Sequence, residues 1–158
     1  MESAENHAAT TRWHAAAEWA GYAGVAPLVL CLAGVGLLPS YAAREIAQRA
    51  AVAWGAVLLS STGAVHLGLA LAGQLRWARA RLPAAVGPAL FAAAAVVAGG
   101  QRGLALLVVG SGGFWLYEHR VLGAQLPAAY LNLRRQLTLA TCMLLALTMF
   151  ISDAAGLS

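Results

Sequence analysis

The chain has 158 residues, 61% of them hydrophobic and only 10% charged, with a mean hydropathy of +0.71. Ordinary globular domains carry about 25% charged residues, so a soluble domain of this size is excluded for want of charge to cover its core. The net charge of +4 comes wholly from arginine. Those arginines stand at the ends of apolar segments, where they describe membrane topology and not a nucleic-acid surface.

Residues 1–17 form a polar arm with helical tendency near Trp13 to Ala17, unlike the basic start of a signal peptide. The first span is expected over about 19–38, long enough for about 30 Å. Glu18, Trp19 and Tyr22 mark its interface, Pro27 can kink it, and Gly21 and Gly24 thin one side. Leu38-Pro39-Ser40 ends it, and Tyr41 to Ala50 is polar enough to stay at the surface and is expected to lead directly into the second helix, whose span is 51–71. Arg76, Arg79 and Arg81 follow, with Trp77 between them. The third and fourth spans, 83–98 and 103–117, are short for a bilayer and joined by GGQRG, where Arg102 must reach water and so favours a hairpin. A fifth span runs over 133–151, and 153–158 is a tail. The expected fold is all-α: a polytopic bundle of five transmembrane helices within residues 18–152. Cys31 and Cys142 both lie in apolar segments without CxxC or Cys/His spacing, so neither a disulfide framework nor a zinc site is indicated.

The most informative stretch is Trp54 to Gly68, WGAVLLSSTGAVHLG. Ala56, Ser60, Ala64 and Gly68 recur every four residues, a small-residue ridge suited to close helix packing. Thr62 and His66 lie nearly opposite, because two positions along a helix turn about 200°. A helix special on both sides belongs at the centre of a bundle.

Arginine asymmetry orients the chain. With five spans, Arg12, Arg76, Arg79, Arg81, Arg120, Arg134 and Arg135 fall on one side and Arg44, Arg49 and Arg102 on the other, seven against three. The amino terminus is therefore expected in the cytoplasm. His66 then sits about 8 Å inside the cytoplasmic boundary at 1.5 Å per residue. Glu118 and Arg134 share its leaflet, with Glu18 nearby. Arg134, Thr138, Thr141, Leu145 and Thr148 form a stripe expected to face protein. Each feature has a structural alternative: a hydrogen-bonded histidine, threonines bonded to their own helix, an ion pair that fixes helix ends. Ionisable groups at membrane depth nevertheless make His66, Glu118 and Arg134 a candidate polar cluster. No Ser/His/Asp set at one depth, phosphate loop or metal spacing is present, and His66 has only His119 as a second histidine for a haem, several ångströms off level. No cofactor is expected.

Short motifs in order resemble the domain-of-unknown-function family 3429, small inner-membrane proteins similar to transmembrane protein 69. The likeness covers about residues 19–145. It rests on Trp19-Ala20-Gly21-Tyr22-Ala23-Gly24 with Pro27; on Gly55-Ala56-Val57, Leu59-Ser60, Gly63 and His66; on Pro88 and Leu90; and on Leu126-Pro127, Tyr130, Leu133-Arg134 and Leu137-Thr138. Ser61, Thr62, Leu67 and Ala129 depart from it by replacing bulky or aromatic residues, and Glu118 stands where the family usually has aspartate. The resemblance implies a bacterial inner-membrane protein and no particular reaction. Two functions are expected from this: an accessory subunit or assembly factor of a larger membrane complex, or a binder or carrier of a quinone, lipid headgroup or proton. A filled core would favour the first, an open cavity beside His66 the second. The partners expected are the bilayer and other membrane subunits.

Overall fold

The computed structural model describes residues 2–71, 82–122 and 128–157, and side chains within 18–68, 84–121 and 129–157. Arg76, Trp77, Arg79, Arg81, Leu126 and Pro127, and the side chain of Arg12, lie outside the described residues. Five helices follow one another: α1 Glu2–Leu37, α2 Tyr41–Leu71, α3 Leu82–Ala98, α4 Gly100–Leu122 and α5 Ala128–Ala154.

Local chemistry sets the visible boundaries. Pro39 disfavours helical geometry in the residue before it, and α1 stops at Leu37. Ser40 then caps α2: the Ala43 N–H donates to Ser40 Oγ at 3.2 Å, an N-cap bond. The stretch 41–50, expected at the surface, is the first part of α2 itself, braced by Arg49 and Glu45 at 2.6 Å. Between α3 and α4 the joint is tighter than expected. Gly99 and Gly100 have φ of 58° and 49°, a region open to glycine, and Gln101 and Arg102 are already helical. At its far end α4 runs on past Tyr117 to Leu122, so Glu118 lies within the helix and not at its end.

The helices alternate in direction. Tyr22 of α1 donates to Gln136 of α5 at 2.7 Å, and Gly36 near the end of α1 faces Ile151 near the end of α5, so these two run parallel. His66, late in α2, meets Glu118, late in α4. Gln48, early in α2, donates to the Leu157 carbonyl beyond α5 at 3.3 Å. The element at the centre is α2, which contacts all four others, and Trp54 ties it to α1 by donating to the Gly24 carbonyl at 2.8 Å. Its core-facing residues Val52, Ala56 and Leu59 pack with Leu28, Leu104, Leu107 and Leu145.

The outside is apolar as well. Leu30, Leu37, Leu90, Val97, Met143 and Phe150 are exposed, more than a water-soluble monomer tolerates. Three stretches are long and apolar enough to cross a membrane: Glu18–Leu37, Tyr41–Gly68 and Ala129–Ala154. Ala84–Ala98 is apolar but shorter, and α4 is not among the candidates. The expected small-residue ridge does not run as one contact. Ala56 is buried and Ser60 partly so, but Ala64 and Gly68 are exposed. A four-residue repeat drifts about 40° per step around a helix, which carries the ridge out of the interface. Gly63 takes the close approach instead, against the Ala85 carbonyl of α3, leaving no room for a Cβ.

Candidate functional site

His66, Glu118 and Arg134 stand side by side where α2, α4 and α5 meet. On α2, His66 Nδ1 lies 2.9 Å from the Thr62 carbonyl one turn earlier. A carbonyl oxygen only accepts, so Nδ1 carries the hydrogen and donates it. The ring edge meets Phe114 with centroids 5.3 Å apart at 82°, which holds the imidazole from a second side. Its other nitrogen, Nε2, is buried and has no hydrogen-bond partner among the described residues. It lies 3.7 Å from Glu118 Oε1.

Glu118 is 1% exposed. Arg134 Nε donates to its Oε2 at 3.2 Å, and the Tyr130 hydroxyl donates to Oε1 at 3.1 Å. Tyr130 and Arg134 are four residues apart on α5, so they project from one face. The guanidinium supplies the counter-charge that a buried carboxylate requires. Nε2 without a hydrogen is an acceptor, as is a carboxylate oxygen, and facing each other at 3.7 Å they leave a buried donor position between them. A single proton, on either atom, would satisfy both.

Two cavities flank the cluster. One of about 240 Å³ lies among α1, α2, α4 and α5 and is lined by Arg134, Thr62, Ser111, Thr138 and Thr141 among others. Thr138 and Thr141 are 8% and 6% exposed, and neither hydroxyl has a hydrogen-bond partner among the described residues. The other, about 510 Å³, is apolar and is walled by Phe91, Pro88, Phe114 and Tyr117. A third, about 800 Å³, opens at the opposite end beside Gln48, Arg49, Gln101 and Arg102. Between the ends lie the buried leucines 104, 107 and 145.

The remaining candidates fall elsewhere. Glu18 is exposed and joins no ion pair among the described residues. His119 is exposed and stacks on Trp115 at 5.6 Å, with no contact to His66 among the described residues. No group of three His, Cys, Asp or Glu among the described residues is placed to hold a metal ion. Tyr130 was not anticipated in the cluster, although its four-residue spacing from Arg134 was visible. The hydroxyl-lined cavity was likewise missed, because its walls come from four helices distant in sequence.

Fold and site together define a helical bundle with membrane-length apolar helices and a buried ionisable cluster where three helices meet. The chain belongs to the family described as "Protein of unknown function (DUF3429)", which matches residues 13–150. No curated protein matches the chain, and no solved structure does.

Proposed function

We propose that this is a five-span inner-membrane protein, amino terminus in the cytoplasm, whose His66–Glu118–Arg134 cluster holds an exchangeable proton beside a small-ligand cavity. It belongs, on this reading, to the binders and carriers and not to the enzymes. The observation that carries it is the buried, unpartnered His66 Nε2 standing 3.7 Å from a carboxylate oxygen. Ionisable groups at membrane depth are expensive unless they serve transport or binding. The alternating helix directions support five crossings. At 1.5 Å per residue, the 23 residues of α4 reach about 35 Å, and its acid is turned inward.

Nitrogen-15 NMR of the histidine rings in lipid nanodiscs tests this. His66 is expected to keep its hydrogen on Nδ1 throughout, while Nε2 gains and loses a proton as pH is varied. Glu118→Gln should remove or displace that titration. A ring hydrogen on Nε2 with bare Nδ1, or an Nε2 indifferent to Glu118, would overturn the proposal.

One observation favours a second reading, an accessory subunit. Ala64 and Gly68 lie exposed on α2, and small residues facing outward allow another membrane helix to approach.

A further inference from the structure

We infer that the cavity beside Arg134 is a site for a small, singly charged oxyanion, taken up together with the proton of the His66–Glu118 pair. This rests on the proton-holding reading above and adds the class of ligand. It begins with a charge count. With Nδ1 protonated and Nε2 bare, His66 is neutral, and Glu118 and Arg134 cancel. Adding the proton that Nε2 and Oε1 call for leaves the cluster at one net positive charge. Such a charge at membrane depth is unfavourable without a partner; His66 and Glu118 are 5% and 1% exposed, and Arg134, 21% exposed, is the member of the cluster that opens to the adjoining cavity.

The adjoining cavity has what an anion needs. Arg134 lines it. Its Nε is engaged by Glu118, and among the described residues its terminal nitrogens have no hydrogen-bond partner. These carry donors in a fixed fork that fits an oxyanion. Thr138 and Thr141, both more than nine-tenths buried, add two unpartnered hydroxyls to the same wall. The lining from α2 differs. Ser61 and Thr62 already donate to the Leu58 and Leu59 carbonyls, so they offer only lone pairs. A ligand with an oxyanion at one end and a short, weakly polar body matches this polarity.

Size narrows the choice. About 240 Å³ is the space of about eight waters at about 30 Å³ each, enough for a short carboxylate or one phosphodiester headgroup. The titratable or charged groups around the site are Glu18 and Tyr22 on α1, His66 on α2, Tyr117, Glu118 and His119 on α4, and Tyr130, Arg134 and Arg135 on α5. Among these, only Glu118 and Arg134 with His66 and Tyr130 join in direct contacts.

The two sources of such an oxyanion, a free carboxylate and an anionic lipid, are separated by experiment. Acetate is titrated into the full chain in phosphatidylcholine nanodiscs, by calorimetry in buffers of different protonation enthalpy. We expect binding with about one proton taken up per acetate, and an affinity falling up to about tenfold per pH unit raised, as linkage demands. The double variant Thr138→Val, Thr141→Val should weaken acetate about tenfold or more while leaving the His66 nitrogen-15 pattern intact. If acetate fails but phosphatidylglycerol is retained through purification by the parent chain and lost from the double variant, the source is a lipid headgroup. Neither ligand bound, or acetate bound without proton uptake, overturns the inference. With the His66 NMR signature still present, either result leaves the proton-holding reading standing. Its absence removes both.

Discussion

Arg134 is the residue whose loss the cluster should tolerate least. Its guanidinium is the counter-charge for a carboxylate that is 1% exposed, and removing one partner of a buried pair costs about 3–5 kcal/mol. We expect Arg134→Met to lower stability in detergent unfolding by about that much, and Glu118→Gln to be milder because the guanidinium it leaves without a counter-charge is 21% exposed, against 1% for the carboxylate. Tyr130→Phe removes one hydrogen bond to the same acid and should cost about 1 kcal/mol. A ranking with Tyr130→Phe worst would mean that the hydroxyl, not the ion pair, holds the site. His66, Glu118 and Arg134 were legible in the sequence because ionisable types are rare in apolar segments and arginine asymmetry placed all three at one depth. Tyr130 was hidden because tyrosine near a span end is ordinary interfacial chemistry. The threonines divide. Thr148 donates to its own helix at Leu144, as expected of membrane threonines, whereas Thr138 and Thr141 have no partner among the described residues.

Among the elements, α2 shows how far a repeat can be trusted. The every-four pattern from Ala56 to Gly68 suggested one packing ridge, but the helix turns it outward by Ala64. Gly63, one position off that pattern, meets the Ala85 carbonyl instead. Gly63→Ala should therefore overpack α2 against α3 and cost about 1–3 kcal/mol. Ala64→Leu should stay within about 0.5 kcal/mol in the isolated chain. Detergent unfolding of both variants decides: a larger loss for Ala64→Leu would restore the ridge. Loss of co-purifying chains in Ala64→Leu, with stability intact, would favour the accessory-subunit reading. Helix existence and order were legible from apolar runs and glycine-rich breaks. Helix extents were not, because hydropathy ends a span at Glu118 and Arg102 whereas the backbone needs only hydrogen bonds to continue. Burial against His66 of α2 and against Arg134 and Tyr130 of α5 is what lets α4 carry an acid through its last turns.

At the scale of the molecule the open question is how many helices cross. Three have the length and apolarity alone; α3 is short and α4 carries Arg102, Glu118 and Arg120. Their directions nevertheless constrain them. α1 parallels α5, with Gly21 against Leu137 and Gly36 against Ile151, and α2 parallels α4, with Gly55 against Leu107 and His66 against Glu118. α1 opposes α2, with Gly24 against Leu58 and Gly34 against Ala47, and α3 opposes α4, with Phe91 against Gly110 and Ala95 against Gly103, so the chain reverses at each joint. If α1, α2 and α5 cross, α3 and α4 must between them return the chain to the side where α5 begins. A hairpin that crosses fully does this, and so does one lying on that side, but only the first puts Gln101 beside the Met149 carbonyl late in α5, 2.9 Å away. We therefore expect reporter fusions after Ser158 and within residues 74–82 to report opposite compartments, the internal one cytoplasmic, following seven arginines against three. A fusion after Gly99 should report the same side as Ser158. If it reports the cytoplasm instead, α3 and α4 do not cross. His66 and Glu118 would then meet at the membrane surface, where a proton and an anion can be had from water without any carrier.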